Sequence, residues 1–345
     1  MRVYAFDIGA SSVKHAIVET NEAPHISSGF PSLRLPALTF QAVRESVFSA
    51  LAKNFATPAA DIAAVAISTK GSVDPTGRVL RAGLFRDYAG VDWAALISDR
   101  FPHVPKVLTV NDGRASTWAE YRRHGEHVAS FAHFVVGTGV GGGIVLAHRL
   151  MPGAHGAAGG LGHIKVQPDS TVRCSCTRTG CVETLASAPA VVRRFHQLRL
   201  GAGADVGDGP GRHAGSGRAA AGEGTLGDEI IRGGEITLDD VVRAARDGDE
   251  PALRAFRDAG RWLGAAISDV MNVLDPDAIT IGGGLLQAAS VAAAGGAHES
   301  YLAAAERAAR DLAVARIADR TVIAPAAYGN DGGLIGAALL ASTGP

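Results

Sequence analysis

All three cysteines of this chain lie within eight residues, and a histidine precedes them. The four residues are His163, Cys174, Cys176 and Cys181. Thiolates and imidazole nitrogens are ligands that zinc prefers, and four of them make a closed tetrahedral site of the structural kind. A disulfide framework is a weaker interpretation, because an odd number of cysteines leaves one thiol unpaired. The segment therefore predicts a structural Zn²⁺ site formed by these four side chains.

Three turns rich in glycine and other small residues follow predicted strands. Such residues let backbone amides approach a phosphate closely, although a single turn of this kind more often only reverses the chain. A carboxylate at the end of the first strand suits a hydrated Mg²⁺ ion. None of the three turns matches a Walker loop, and we do not expect a P-loop or Rossmann enzyme. The candidate nucleotide-binding residues are Asp7, Gly9, Ser11 and Ser12 in the first turn, Gly137, Thr138 and Gly139 in the second, and Gly282 and Gly283 in the third.

Asn111 and Asp112 lie at the end of another predicted strand, directly before a helical pattern. Considered alone, Asp112 is more simply interpreted as the N-cap of that helix. Its place between two phosphate-binding turns favours a second role. An aspartate there suits a general base that removes a proton from a substrate hydroxyl during phosphoryl transfer.

Length and composition limit the classes of protein that fit. The chain has 345 residues, is 47% hydrophobic and carries a formal net charge of -1. It is long enough for about two domains, and it is neither disordered in composition nor basic enough to indicate a nucleic-acid partner. It has no apolar run of about 18 residues, and its N-terminus turns polar too early for a signal peptide. We therefore expect no membrane partner and a cytoplasmic location, where thiols stay reduced.

The elements that must position these residues follow from hydrophobic patterns. Helical patterns at 114–123 and 253–274 alternate with short β-branched runs, which predicts an α/β architecture with two sheets. Thr237 is expected to cap a helix over 238–246 together with Asp240. Residues 201–234 are dominated by glycine, alanine and charged residues and predict a flexible insertion. The predicted strands cover residues 3–6, 15–18, 62–67, 107–110, 134–136, 144–146, 278–281 and 321–323.

The motifs and their order resemble the ROK family of sugar kinases and repressors, within the actin-like ATPase superfamily. The resemblance spans nearly the whole chain outside residues 201–234. The matching segments are 7–14, 111–112, 119–121, 137–143, 162–163, 174–183, 281–284 and 329–337.

This resemblance implies two actin-like ATPase domains of the ribonuclease H-like α/β fold, which flank a cleft for ATP and a sugar. The domains would cover residues 1–114 and 115–345, with the structural zinc loop in the second and the last helix packed back on the first. The resemblance also implies a homodimer. No helix-turn-helix segment precedes the first strand, which disfavours a transcriptional repressor.

The resemblance further implies the reaction, an ATP-dependent phosphorylation of a hexose or amino-hexose. Asn111 and Asp112 would contact sugar hydroxyls, with Asp112 as the general base. His163 would bind zinc beside the sugar, and Glu183 would be a further sugar contact. Asp7 would lie near Mg²⁺, and the turn at 137–139 would lie over the phosphates.

The chain departs from the family pattern at a few positions, and one of these departures affects the expected function. Gly160 stands where the family usually has a glutamate that binds the sugar, and losing such a charged partner costs about 1.5–3 kcal/mol. The accepted sugar is then expected to differ, or binding to be weak, which leaves open a sugar-sensing or regulatory protein with little catalysis. Thr177 replaces a glycine after the second zinc cysteine, which is expected to affect the geometry of the turn and to leave the ligands intact. An actin-like ATPase without a sugar is disfavoured, because the zinc segment lies where the sugar site would be.

Overall fold

The computed structural model of this chain describes residues 1–21, 23–54, 62–81, 85–124, 127–199, 236–286 and 297–343. The predicted insertion at 201–234 lies outside these residues. The chain divides into two compact units that alternate along the sequence. The first unit comprises Met1–His133, Gly142–Gly159 and Asn330–Pro345, and the second comprises Phe134–Gly141 and Gly160–Gly329.

Strands and helices alternate along the chain. The strands are β1 (Arg2–Ile8), β2 (Ser12–Glu19), β3 (His25–Gly29), β4 (Leu33–Arg34), β5 (Ile62–Thr69), β6 (Ser72–Val73), β7 (Val79–Arg81), β8 (Val107–Asn111), β9 (Phe131–Val136), β10 (Val140–Leu146), β11 (Arg149–Leu150), β12 (Ala278–Gly282) and β13 (Val322–Pro325). The helices are α1 (Phe40–Asn54), α2 (Trp93–Arg100), α3 (Asp112–Tyr121), α4 (Glu183–Ala186), α5 (Ala188–Arg199), α6 (Leu238–Arg246), α7 (Glu250–Leu274), α8 (Ala297–Leu312), α9 (Ala315–Ala318) and α10 (Gly332–Thr343).

The sheet of the first unit has the order β3-β2-β1-β5-β8, and β4 also pairs with β2. Strands β1, β5 and β8 are parallel, with Asp7 opposite Ser68 and Thr69 opposite Asn111. Because the carboxyl ends of parallel strands meet at one edge, Asp7 and Asn111 both lie at that edge. They stand in consecutive registers of the sheet, on the two strands that flank β5. Open α/β sheets bind their ligands at this edge.

The last helix, α10, packs against α3 within the first unit at an unusually short distance. A Cβ atom added at Gly336 would lie 1.7 Å from the carbonyl oxygen of Ala115, and one at Gly332 would lie 2.4 Å from Ser116 Oγ. Only glycine fits at position 336, because the clash there is with backbone, and a larger residue at position 332 would displace the Ser116 side chain. The same approach brings Gly333 against Asp7, since a Cβ atom on Gly333 would lie 2.9 Å from Asp7 Oδ1.

The second sheet has the order β11-β10-β9-β12-β13, with β12 and β13 parallel. In the second unit, α7 and α8 pack closely at Gly264, where a Cβ atom would lie 2.4 Å from Ala305 O. Thr237 and Asp240 form the predicted capping box at the start of α6.

The mixed α/β architecture with two larger sheets is therefore confirmed. Element ends differ from the sequence prediction by a few residues. Strand β9 begins at Phe131 and not at 134, because buried residues such as His133 continue the strand although they are not β-branched. Within the described ranges, no helix combines the length and apolar character needed to cross a membrane.

Candidate active site and metal-binding cluster

Asp7 is the penultimate residue of β1 and is half-buried in the first unit. Its Oδ1 accepts a hydrogen bond from Ser68 Oγ at 2.8 Å. Burial raises the pKa of Asp7 and the nearby Asp112 carboxylate raises it further, whereas the Ser68 bond and the charges of Lys14 and Lys70 oppose that rise. A bound cation would favour the ionised form of this carboxyl group.

The first predicted phosphate turn follows directly. Gly9 N donates to Ser12 O at 2.9 Å, and Ser11 O accepts from Leu35 N at 2.9 Å. These bonds define the path of the turn between β1 and β2. Lys14 lies opposite Asp7 on β2, and its Nζ donates to the carbonyl oxygen of Asn330 at 3.0 Å.

The helix after β8 is capped by Asn111, whose side chain accepts from Arg114 N at 3.0 Å. The simpler interpretation of Asp112 as the N-cap is therefore wrong. Asp112 Oδ1 instead accepts from Gly113 N at 2.9 Å and from Asn111 Nδ2 at 3.0 Å. The Asp112 side chain remains 34% exposed and is therefore accessible from solvent.

Three residues at the start of α3 contact the short segment 70–73. These contacts were not predicted from the sequence. Lys70 Nζ lies 3.5 Å from Asp112 Oδ2. Asn111 Nδ2 donates to Gly71 O at 2.8 Å. Arg114 Nη2 donates to Val73 O at 2.7 Å. No local sequence pattern identifies Lys70, since the pairing of β5 with β8 creates its proximity to Asp112. The contact of Arg114 with Val73 likewise joins residues that are 41 positions apart in the chain.

The second turn, at Gly137 to Gly139, closes with a bond from Gly137 N to Gly139 O at 2.9 Å. Directly after it, Val140 N donates to Glu183 Oε2 at 3.1 Å. A Cβ atom added at Gly139 would lie 2.5 Å from the same carboxylate oxygen, so a larger residue there would displace the Glu183 side chain. Glu183 is buried, and its Oε1 accepts from Ser175 Oγ at 2.7 Å. The predicted sugar contact thus also connects the turn to the cysteine segment.

The third turn follows β12 at Gly282 and Gly283, and residues 284–286 are helical. Gly283 adopts a φ of 101°, and a Cβ atom there would lie 2.5 Å from Val136 O. Both the backbone conformation and the space require glycine.

The four predicted metal ligands lie together in the second unit. The candidate ligand atoms of His163, Cys174, Cys176 and Cys181 are all within 4.8 Å of one another. Cys176 Sγ and Cys181 Sγ are 3.6 Å apart, and Cys174 Sγ lies 3.5 Å from His163 Nδ1. Zn–S and Zn–N bonds at tetrahedral angles put sulfur atoms roughly 3.8 Å apart and sulfur roughly 3.6 Å from nitrogen. The donor set and its spacing therefore fit zinc, whereas the sulfur separation is far beyond a disulfide bond.

The segment that carries these ligands turns tightly. Thr177 N donates to Cys174 O at 2.8 Å, and Thr177 has a φ of 71°, in the left-handed region. A branched residue is unfavourable in this conformation. Gly180 has a φ of 75°, and a Cβ atom there would lie 2.3 Å from Gln167 O. Lys165 Nζ lies 3.2 Å from Cys181 Sγ.

The predicted site residues thus form two groups, one in each unit. Asp7, Gly9, Ser11, Ser12, Asn111 and Asp112 belong to the first unit, at or beside the carboxyl edge of its sheet. The second unit holds Gly137, Thr138, Gly139, His163, Cys174, Cys176, Cys181, Glu183, Gly282 and Gly283.

Comparison with known proteins assigns the chain to a family. The model of the ROK family matches residues 3–343. The glucokinase of Halalkalibacterium halodurans is 31% identical over 231 residues, which cover 67% of this chain and 62% of that protein. The kanosamine kinase of Amycolatopsis mediterranei is 30% identical over 221 residues, which cover 64% of this chain and 61% of that protein. The matched part thus spans less than two thirds of both relatives.

Two solved structures resemble the whole fold. A ROK family glucokinase from Streptomyces griseus, in complex with glucose and AMPPNP, has a TM-score of 0.76 and 27% identity and matches 100% of both chains. A ROK family transcriptional regulator, a homologue of the E. coli MLC protein, has a TM-score of 0.74 and 25% identity and matches 99% of this chain and 78% of that one. The predicted resemblance is confirmed, and this chain belongs to the ROK family.

Proposed function

We propose that this chain is an ATP-dependent sugar kinase that phosphorylates a hydroxyl group of a hexose or amino-hexose. The observation that carries the proposal is the Asp112 carboxylate, which is oriented by Asn111 and Gly113 while its side chain remains 34% exposed. The similarity to a glucokinase that binds glucose and AMPPNP supports it. Phosphoryl transfer depends mainly on positioning and charge stabilisation, which such an arrangement supplies.

In the proposed reaction, the acceptor hydroxyl oxygen attacks the γ-phosphorus of ATP and the bond to the ADP oxygen breaks. Asp112 takes the hydroxyl proton. Asn111 orients Asp112 through its side-chain amide and contacts the sugar. The three glycine-rich turns direct backbone N–H groups to the nucleotide. They contain Gly9, Ser11 and Ser12 in the first turn, Gly137, Thr138 and Gly139 in the second, and Gly282 and Gly283 in the third. Mg²⁺, held near Asp7 through oxygen ligands, would neutralise phosphate charge.

A zinc ion held by His163, Cys174, Cys176 and Cys181 is the second part of the proposal. Four protein ligands leave no open position, so the ion would be structural. It would order the segment that carries Ser175 and Glu183, and through Glu183 the second phosphate turn. His163 and Glu183 would thereby be placed beside the sugar.

The organisation implied by the family belongs to the same proposal. It comprises two actin-like domains divided near residue 114, a homodimer and a cytoplasmic location. Light scattering of the purified chain tests the dimer directly, since a monomeric mass would contradict it.

A sugar-sensing regulator with little catalysis is the second candidate function. It is favoured by the fold similarity to the ROK transcriptional regulator and by Gly160, at the position where a charged sugar ligand was expected. Both candidate functions require sugar binding, but only the kinase would turn over ATP.

A coupled assay of ADP formation tests the proposal. The purified chain is incubated with MgATP and a panel of hexoses, amino-hexoses and their derivatives, and the products are identified by mass spectrometry. We expect a sugar phosphate and equimolar ADP with at least one acceptor. Sugar binding in calorimetry without ADP formation for any acceptor would favour the regulator and contradict the kinase.

A further inference from the structure

Arg114 is a buried cation in the first turn of α3, two residues after Asp112. Its residue surface is only 6% exposed. Nη2 donates to Val73 O at 2.7 Å, whereas the buried Nε has no hydrogen-bond partner. Among the ion pairs of the described ranges, none includes Arg114. A buried charge is costly unless an opposite charge and hydrogen bonds compensate it.

The carboxylates closest in the chain to these contacts are engaged elsewhere. Asp74 follows Val73, and its Oδ1 accepts bonds from Thr76 and from Arg78 N within its own turn. Asp112 Oδ1 accepts from Gly113 N and Asn111 Nδ2, and its Oδ2 faces Lys70. Within the described part of the chain, Arg114 therefore has one hydrogen bond to a backbone carbonyl and no carboxylate within ion-pair distance.

Lys70 adds a second positive charge on the same segment. Its Nζ lies 3.5 Å from Asp112 Oδ2, and its side chain is 37% exposed. Lys70 is the first residue of the segment 70–73 and contacts Asp112 of α3, whereas Arg114 of the same helix contacts Val73 at the other end of the segment. The proposed base is thus accompanied by two cations, one half-exposed and one buried.

We propose that the acceptor carries an anionic group, a carboxylate or a phosphate, which Arg114 and Lys70 recognise while Asp112 takes the proton of the reacting hydroxyl. This inference rests on the proposed kinase function and specifies its substrate class as a hexose or amino-hexose acid or phosphate. The planar guanidinium binds such a group through two parallel N–H bonds, and the Lys70 ammonium adds a point charge. A neutral sugar would leave the Arg114 charge unpaired.

Matched pairs of ligands test the inference without requiring turnover. Calorimetry on the full chain compares glucuronate with glucose, N-acetylmuramate with N-acetylglucosamine, and glucose 6-phosphate with glucose. We expect the charged member of at least one pair to bind about 10- to 100-fold more tightly, the ratio expected for one charged hydrogen-bonding partner. The first two pairs identify a carboxylate and the third a phosphate. Equal or weaker binding of every charged member overturns the inference.

Variants then locate the recognition. Arg114→Met and Lys70→Met should each reduce the ratio between charged and neutral ligand, with Arg114→Met bringing it close to one. Lys53→Met, on an exposed position of α1, is the matched control and should leave the ratio unchanged. If Arg114→Met fails to fold, Arg114→Lys retains the charge but loses the bidentate geometry, and it should still lower the ratio. An unchanged ratio in both Lys70→Met and the folded Arg114 variant contradicts the assignment.

ADP formation separates this inference from the function on which it rests. Tight binding of a charged ligand with no ADP formed would support the anion site and contradict the kinase. Phosphorylation of neutral sugars, with no preference for their charged partners, would support the kinase and contradict the anion site.

Discussion

Glu183 Oε2 accepts a hydrogen bond from the backbone N–H of Val140 at 3.1 Å, directly after the second glycine-rich turn. The other oxygen, Oε1, accepts from Ser175 Oγ at 2.7 Å and lies 3.2 Å from Cys174 Sγ. One buried carboxylate therefore connects the candidate phosphate turn with the candidate metal segment. Order in one of these segments is expected to support order in the other.

Replacing Glu183 should therefore impair both segments. Glu183→Ala leaves the Val140 N–H without its acceptor, which costs about 1–3 kcal/mol of unfolding free energy. We expect denaturant unfolding to show this loss, zinc retention during dialysis to fall and the KM for ATP to rise. Ser175→Ala tests the other half of the connection separately, because it removes the bond to Oε1 and preserves the bond to Val140. A Glu183→Ala protein with normal zinc content and a normal KM for ATP would contradict the connection.

Thr177→Gly should stabilise the cysteine segment. The left-handed φ of 71° costs a non-glycine residue about 1–2 kcal/mol, and glycine avoids this cost. Glycine also loses more conformational entropy on folding, which cancels roughly 0.5–1 kcal/mol of the gain. We expect slower zinc loss to a chelator and a slightly higher Tm. Gly180→Ala is the opposite change, since its Cβ would lie 2.3 Å from Gln167 O, and it should accelerate zinc loss. Faster zinc loss from Thr177→Gly would show that Thr177 makes a favourable contribution outweighing the strain.

Asp7→Asn should alter the pH dependence of stability. Because the pKa of Asp7 is raised in the fold, the folded state holds this proton more tightly than the unfolded chain does. Ionisation of Asp7 thus lowers the unfolding free energy as pH rises from about 4, the ordinary Asp value, through the raised pKa. The variant lacks this loss. Without Mg²⁺, the Tm of the variant minus the Tm of the parent should therefore increase from pH 4 to pH 8. The phosphorylation rate of the variant should fall. A constant Tm difference over that range would contradict the assignment.

Gly113→Ala should reduce activity through displacement of Asp112. A Cβ atom on Gly113 would lie 2.6 Å from Gly142 N and 2.7 Å from Gly142 O, so the start of α3 must move. A shift of about 1 Å in a reacting group can cost roughly 10²-fold in rate. We expect a loss of this order in kcat at saturating substrates. Gly29→Ala, whose Cβ would come no nearer than 3.9 Å to another atom, should retain full activity and stability. A fully active Gly113→Ala would show that the position of Asp112 tolerates this movement.

The cysteine segment and the helix cap at Thr237 could be predicted because their signals are local. Three cysteines and a histidine at metal-ligand spacing, or Thr237 with Asp240 three residues later, each lie within one short stretch of chain. Strand β12 is entirely buried and its sequence is correspondingly apolar, so its existence followed from composition. In the sequence, only the glycines at 332, 333 and 336 indicate the close packing of α10 on α3. The structure shows which atoms a side chain at each of these positions would meet.

The environment of Asp112 could not be predicted, because contacts between distant parts of the chain create it. Lys70 reaches Asp112 through the parallel pairing of β5 with β8, which no periodicity in the sequence encodes. The burial of Arg114 follows from its contact with Val73, 41 residues earlier in the chain. Glu183 could be recognised as a charged residue near the cysteines, but its bond to Val140 depends on the fold.

The most direct test of the central claim, that Asp112 is the general base of a sugar kinase, is the single-turnover phosphorylation rate of Asp112→Asn with the best acceptor of the parent protein. Asparagine preserves the shape of the side chain but cannot take the proton. We predict a rate lower by about 10²–10⁴-fold, with unchanged Tm, zinc content and ATP affinity. A variant that transfers phosphate at the parental rate would contradict the claim.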